Sequence, residues 1–223
     1  MGTRRSVRPR CWPGRESVVW SGAESSDVLA EGYRANPVVS GVGRLPGAAW
    51  WAGRSPSLRL QRSLGAYRAG LELVLRHANS IMIIDPHFDP SQRRYRDAVT
   101  LLADAGGRRP APLIEIHRVA WYGKGQDKRP QSATVEQALR PALATAAAQS
   151  GLIFQVFLWD DLHDRYLISD LVGITLSNGL DTTTDPNSVT TWSRLGRAER
   201  DDVQREFDRA LNRHTLRHAF TVP

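Results

Sequence analysis

The side chains best suited to chemistry are concentrated in residues 159–170, WDDLHDRYLISD. On a strand, His163 and Arg165 project to the same side, because side chains alternate between faces. An arginine binds two phosphate oxygens at once, and a neutral histidine nitrogen can attack phosphorus or protonate a leaving oxygen. A carboxylate that orients the imidazole is available from Asp170, or from Asp160, Asp161 or Asp164. The spacing alone leaves open whether this is a phosphate site or an exposed, salt-bridged surface.

The charge balance favours a polyanionic partner. The chain has 30 Lys and Arg against 23 Asp and Glu, a formal net charge of +7. Its two lysines, Lys124 and Lys128, lie with Arg129 in residues 121–130, which we predict to be a cationic loop that follows a polyanion backbone. Surface charge that only keeps the protein in solution is the alternative interpretation.

Other features of the composition exclude whole classes of protein. With 41% hydrophobic and 24% charged residues, the chain is neither disordered throughout nor fibrous. The single cysteine, Cys11, cannot form an internal disulfide, and no Cys/His spacing is typical of a zinc site. The apolar stretches are too short for a transmembrane segment. We therefore expect a cytoplasmic protein.

Glycine and proline are enriched before residue 57, which indicates a domain boundary. Residues 1–56 are predicted to be an irregular N-terminal arm, and residues 57–223 the main domain. The arm contains four tryptophans: Trp12, Trp20, Trp50 and Trp51. Because tryptophan is costly to leave in water, we expect the arm to pack partly on the main domain or to dock on a protein partner.

Hydrophobic periodicity predicts helices and strands in alternation after residue 57. The predicted helices cover residues 57–79, 89–106, 133–149 and 197–213. The predicted strands cover residues 80–85, 113–119, 152–159, 163–170, 173–177 and 188–192. This order predicts an α/β (α+β layered) fold, in which a mixed β-sheet is flanked by helices on both faces.

The motif residues resemble the signature of the phospholipase D superfamily, in which His-x-Lys is followed by Asp and then by Gly-Ser-x-x-Asn. His163, Arg165 and Asp170 match the spacing of the first part, with arginine in place of lysine. Residues 177–181, SNGLD, fall where the Gly-Ser segment would lie, and residues 85–88, DPHF, resemble an Asp-Pro-Tyr-Phe turn common in such domains. The His-Asp-Arg and Gly-Leu-Asp forms are also similar to the C-terminal domain of MIT-domain (microtubule-interacting and trafficking) proteins, which binds acidic membranes.

This resemblance implies a phospholipase-D-like fold and a phosphodiesterase mechanism. His163 would attack phosphorus to form a phosphohistidine, a second histidine would protonate the leaving group, and water would release the product. Arg165 would clamp the phosphate, and Asp170 would orient the histidine. No metal or other cofactor is implied. Such sites need two motifs and this chain has one, so we expect a homodimer that brings two His163 residues together.

Further residues are candidates for binding the substrate, besides Lys124 and Lys128. Ser177, Asn178 and Asp181 occupy the Gly-Ser position, where Asp181 replaces the expected asparagine. His87 and His117 lie at or near the ends of two neighbouring predicted strands. Either could supply the second acid if the protein works as a monomer; a buried or edge histidine with a structural role is the alternative for each.

The leading hypothesis is therefore a single-motif, metal-independent nuclease that works as a homodimer on a phosphodiester polyanion, with nucleic acid favoured over lipid. The alternative is a catalytically inactive phospholipase-D-like module. Such a module would bind acidic lipid, nucleic acid or a protein partner, for example within a microbial defence assembly.

Overall fold

The computed structural model describes residues 31–33, 44, 55–122, 129–211 and 213–223. The chain divides into two compact units, Met1–Ser55 and Pro56–Pro223. The expected packing of the N-terminal arm and its four tryptophans therefore lies outside the described residues, and so do Lys124 and Lys128.

Within its described residues the second unit has ten strands and four α-helices. The strands are β1 (Ser57–Gln61), β2 (Ser80–Ile84), β3 (Leu113–Val119), β4 (Trp121–Tyr122), β5 (Arg129–Pro130), β6 (Ile153–Trp159), β7 (Tyr166–Ser169), β8 (Gly173–Leu176), β9 (Val189–Arg194) and β10 (Leu216–Val222). The helices are α1 (Leu64–His77), α2 (Arg96–Ala103), α3 (Ser132–Ser150) and α4 (Arg197–Glu206), and a 3₁₀ helix (Arg93–Tyr95) precedes α2.

Eight strands form one mixed sheet in the order β1-β9-β8-β7-β2-β3-β6-β10, while β4 and β5 pair separately. The central strands β2, β3 and β6 are parallel to one another. All other neighbours in this sheet are antiparallel. Because β7 runs opposite to β2, the start of β7 lies at the same sheet edge as the carboxyl end of β2.

Both faces of the sheet are covered, as the sequence predicted. On one face, α1, α2 and α3 bury a continuous apolar core, which includes Leu71, Leu101 and Leu139. On the other face, a smaller cluster around Trp159 and Phe207 packs beside α4. The expected α/β fold, a mixed sheet flanked by helices on both faces, is confirmed.

The first predicted helix was wrong at its beginning. Residues 57–61 form the edge strand β1, and α1 starts only at Leu64, where the Ser63 hydroxyl caps the helix by accepting from the backbone N–H of Ala66 (3.4 Å). Leu58 and Leu60 are two residues apart, so they share a face on a strand. Both side chains approach Gly70 on α1, although Leu58 remains 46% exposed.

Two further boundaries differ from the prediction. The second helix begins at Arg96 rather than near Asp89, because the Asp89 carboxylate accepts from the Ser91 backbone and the Gln92 side chain and so holds a turn. The final helix ends at Glu206, and the following strand, β10, was not predicted. As an edge strand, β10 leaves alternate residues exposed, so its apolar signal is weak.

Candidate functional site

Two charged residues meet where β2 ends and β7 begins. Ile84 pairs with Tyr166 in the antiparallel register of these strands. The next residues outward are therefore Asp85 and Arg165, and Nε of Arg165 lies 3.5 Å from Oδ1 of Asp85. That distance is within ion-pair range, although it is long for a strong hydrogen bond.

Asp85 is a fully buried carboxyl group held from several sides. Its residue exposure is 1%. The backbone N–H of His87 donates to Oδ1 (2.9 Å), and the Tyr95 hydroxyl donates to Oδ2 (3.2 Å). Burial raises the pKa of Asp85 above its ordinary range, against the opposing effects of the His87 N–H and the Arg165 charge. Burial and the neighbouring Asp85 also raise the pKa of Tyr95.

Gly179 lets the chain pass directly over this carboxyl group. It sits in the turn after β8 with φ +68°. A Cβ atom at this position would lie closer than 3.0 Å to Oδ2 of Asp85 and 3.3 Å from Cδ of Arg165. The positive φ and the close approach both require glycine here.

Arg165 is anchored in part but remains accessible. Its backbone carbonyl accepts from the N–H of Leu176 (2.8 Å), which begins the β7–β8 pairing. Its side chain is 28% exposed. A guanidinium that lies beside Asp85 and still reaches solvent can bind an anion.

His163 lies two residues before Arg165 but not on a strand. The expectation that both residues project from one strand was wrong, because β7 starts only at Tyr166. The His163 side chain is 87% exposed, and its Nε2 lies 3.1 Å from Oδ1 of Asp161. Of the four carboxylates considered from the sequence, Asp161 is the one beside this ring.

Asp170 lies at the opposite end of β7 from His163, a separation of at least the four-residue strand, about 13 Å. Its carboxylate accepts from the backbone N–H (2.9 Å) and the side-chain amide (2.8 Å) of Asn79. Desolvation opposes charge on Asp170, but the hydrogen bonds from Asn79 and Ser80 lower its pKa overall. Asp170 therefore fixes the α1–β2 connection and does not touch His163.

The predicted binding residues of the 177–181 segment separate into different roles. Asn178 is exposed in the turn, whereas the Ser177 hydroxyl donates to the carbonyl of Thr191 (2.8 Å). Asp181 is buried, and its Oδ2 lies 2.5 Å from Nη2 of Arg62. The Tyr67 hydroxyl donates to the Asp181 carbonyl (2.8 Å). Asp181 thus joins β1, α1 and the turn.

The two candidates for a second acid differ in their surroundings. His87 is exposed in the turn after β2, beside Asp85. His117 is 2% exposed, and its Nδ1 accepts from Nε1 of Trp159 (3.0 Å). The other nitrogen, Nε2, lies 3.6 Å from Oε2 of Glu115. Burial lowers the pKa of His117, whose ring packs edge-to-face against Phe207 at the end of α4.

The sequence did not identify Asp85 and Tyr95 as site residues, nor the need for glycine at 179. The DPHF turn was a visible signal, but it drew attention to His87 rather than to Asp85. Arg118 was not among the predicted site residues; it is buried on β3 and donates from Nη1 to the carbonyl of Phe88 (2.7 Å), which fixes the turn.

Within the described part of the chain, no group of three or more His, Cys, Asp or Glu side chains is arranged to hold a metal ion. None of the described helices is long and apolar enough to cross a membrane.

The comparisons with known proteins give structural similarity only. No family model and no curated protein matches the chain. The crystal structure of Nuc from Salmonella typhimurium, a phospholipase D family member, matches with 12% identity and a TM-score of 0.46, over 72% of this chain and 96% of that one. TrmBL2, an archaeal chromatin protein with a novel mode of DNA binding, matches with 12% identity and a TM-score of 0.40, over 83% of this chain and 58% of its own length. At TM-scores below 0.5, neither match assigns a fold family or an activity to this chain.

Proposed function

We propose that the chain is a phospholipase-D-like phosphodiesterase that acts on nucleic acid without a metal. The observation that carries the proposal is the arrangement at the start of β7: Arg165 is anchored beside the buried Asp85, and His163 lies exposed two residues earlier. One short segment thus carries a phosphate-binding cation and an exposed histidine two residues apart.

The arrangement of this pair suits a phosphate ligand. Asp85 approaches Arg165 at Nε, and 28% of the arginine side chain remains exposed. The guanidinium therefore remains accessible to the phosphodiester and to the additional charge that develops during attack.

In the proposed reaction, an imidazole nitrogen of His163 attacks phosphorus, so that a P–N bond forms and the P–O bond to the leaving oxygen breaks. A second histidine gives its proton to that oxygen. Water then attacks the phosphohistidine and breaks the P–N bond, and the proton that the water loses passes to the second histidine, so that both histidines are restored. Asp161, 3.1 Å from Nε2 of His163, is placed to stabilise the positive charge on the ring.

The exposure of His163 supports a site formed by two copies of the chain. At 87% side-chain exposure, little of this chain surrounds the ring to exclude water or to supply the second acid. Two copies related by a two-fold axis would bring two His163 residues together and cover both. His87, exposed beside Asp85, is the alternative second acid within one chain.

The second candidate is an inactive binding module, and a specific observation favours it. Asp170 is bonded to Asn79 at the far end of β7, and the nearest carboxylate to His163 is the exposed Asp161. An exposed pair of this kind orients a ring weakly. The surface around Arg165 would then bind a polyanion without cleaving it.

Cleavage of DNA, RNA and bis(p-nitrophenyl) phosphate in the presence of EDTA tests the proposal. We expect the native protein and His163→Ala to differ by at least about 100-fold, the usual contribution of such a group. His77→Ala, which changes an exposed histidine at the end of α1, is the matched control and should cleave normally. Equal inertness of all three proteins, with retained polyanion binding, would support the binding module instead.

The dimer is tested by the mass in solution and by mixing subunits. If each site needs His163 from both copies, co-refolding equal amounts of native and His163→Ala chains should leave about one quarter of the activity of an all-native sample at the same total concentration. If each chain works alone, one half should remain. A strictly monomeric protein would exclude the two-copy site and direct attention to His87.

A further inference from the structure

Three exposed arginines form a ridge beside the candidate site. Arg93, Arg94 and Arg96 lie on the 3₁₀ helix and at the start of α2, and all three are exposed. Between them, Tyr95 is buried at 2% exposure. We call Arg93, Arg94 and Arg96 the arginine ridge.

The local backbone directs two of these charges the same way. In a 3₁₀ helix residues three apart lie on the same side, and each residue rises about 2 Å. Arg93 and Arg96 therefore share a side, with their backbones about 6 Å apart along the axis. That distance is close to two steps of a B-form strand, whose phosphates advance about 3.4 Å each along the axis. Arg94 places its guanidinium over the Tyr95 ring, 5.1 Å from the centroid.

The ridge is not neutralised by its neighbours. Within the part of the chain that the structure describes, no salt bridge involves Arg93, Arg94 or Arg96. Many other arginines of the domain do pair with carboxylates, and these include Arg62, Arg68, Arg76, Arg140, Arg197, Arg200, Arg205, Arg213 and Arg217. Adjacent like charges repel one another, so three together without an acid form a surface that favours an anion.

The nearest acid in the sequence is engaged elsewhere. Asp97 follows Arg96, and its Oδ2 accepts from the Thr182 hydroxyl (2.8 Å). This contact joins the ridge to the segment after Gly179. The carbonyl of Arg94 also accepts from the backbone N–H of Thr182 (2.7 Å).

The ridge and the proposed phosphate clamp share a buried support. The Tyr95 hydroxyl, between the ridge arginines in sequence, donates to Asp85, and Asp85 contacts Arg165. The Arg94 guanidinium lies over the ring of the same tyrosine, 5.1 Å from its centroid. A nucleic-acid backbone with one phosphate bound at Arg165 would therefore bring its neighbouring phosphates to the ridge.

We propose that the arginine ridge binds the phosphate backbone of a nucleic-acid strand beside the phosphodiester held at Arg165. This inference rests on the proposed function, because the proposed function places the reacting phosphodiester at Arg165. Nucleic acid is favoured over a lipid surface because none of the exposed large apolar side chains among the described residues lies between Pro86 and Arg96, where an inserting membrane contact would need one.

The test measures the salt dependence of binding to a fluorescent 20-nucleotide single-stranded DNA. Binding is measured in the His163→Ala background, so that cleavage does not interfere. Three lost phosphate contacts reduce the slope of log affinity against log salt by about 2. Between 50 and 200 mM salt, the affinity for DNA of the protein with the unmodified ridge should therefore fall about 18-fold more than that of Arg93→Gln/Arg94→Gln/Arg96→Gln.

A matched triple variant controls for net charge. Arg59, Arg109 and Arg194 are exposed, and none of the three is in a salt bridge within the described residues. Changing these three to glutamine removes three positive charges at positions outside the ridge. Most of the slope of log affinity against log salt should remain in this variant. Changing the ridge to three lysines should restore the slope. Equal slopes for the two glutamine variants would overturn the proposal.

Two further measurements distinguish a failure of the ridge proposal from a failure of the proposed function. Cleavage of bis(p-nitrophenyl) phosphate, which is too small to reach the ridge, should be unchanged in the ridge variant that retains His163. If the native protein cleaves nothing, the proposed function fails, while the DNA-binding slopes still decide the ridge. A loss of binding to phosphatidylserine vesicles without any loss of DNA binding would overturn the nucleic-acid assignment.

Discussion

Replacing Gly179 by alanine crowds the buried Asp85 carboxyl group directly. The added Cβ would lie closer than 3.0 Å to Oδ2 of Asp85 and 3.3 Å from Cδ of Arg165. The carboxyl group cannot withdraw without weakening its hydrogen bonds from the His87 N–H and the Tyr95 hydroxyl. Either the turn or the carboxyl group must therefore move.

Two costs add at this position. An L side chain at φ +68° costs about 1–2 kcal/mol. Overpacking of a well-packed site typically costs about 1–3 kcal/mol more. We therefore expect Gly179→Ala to lower the free energy of unfolding by roughly 2–5 kcal/mol.

Gly107→Ala is the matched control, because Gly107 has φ +74° but no heavy atom within 4 Å of the added Cβ. It should carry only the backbone cost of about 1–2 kcal/mol. Urea unfolding followed by tryptophan fluorescence measures both variants. Equal losses would refute the inferred contact between Gly179 and Asp85.

A double variant identifies the crowded atom. Asp85→Ala removes the carboxyl group that the new Cβ would meet. If the clash is with this group, the combined loss in Gly179→Ala/Asp85→Ala should be smaller than the sum of the two single losses. Strict additivity would show that the strain lies in the turn alone.

Three other outcomes follow from the contacts described. Asp170→Ala should lower the urea midpoint but leave the cleavage rate of the folded protein unchanged, and a rate loss without a stability loss would contradict the structural role of Asp170. Because burial lowers the pKa of His117, the unfolded chain binds a proton more readily as the pH falls below about 6.5. Acidification from neutral pH should therefore destabilise the native protein more than His117→Phe, and identical pH profiles of unfolding would contradict this. Arg62→Gln leaves the carboxylate of Asp181 buried without its cation and should cost about 1–3 kcal/mol in the same unfolding assay; an unchanged midpoint would show that the pair contributes little.

The centre of the sheet could be predicted from the sequence because its signal is local. The apolar residues 81–84 and the strand at residues 113–119 are buried in the parallel core, and apolar runs of this length are typical of such strands. The edge strands β1 and β10 were not predicted, because most of their side chains are exposed or only half-buried and their pairing partners are distant in sequence.

The candidate site was harder to predict because it is assembled from several parts of the chain. The motif identified Arg165 and His163, but the group that holds Arg165 comes from the end of β2, and the glycine that covers this group comes from the turn after β8. Spacing within one segment carries no information about such contacts. For the same reason Asp170 matched the motif while lying at the wrong end of β7 for contact with His163.

The pairing of β1 with β9 has a consequence for synthesis on the ribosome. Arg62 and Ser188, which directly adjoin these strands, are 126 residues apart in sequence. At about 5–20 residues per second, β1 waits roughly 6–25 s for its partner to be made. During that interval its backbone is an open edge that could pair with another nascent chain, and its shortness and the charge of Arg59 oppose such pairing. The first strand of the domain to be translated is thus among the last to be fixed in place.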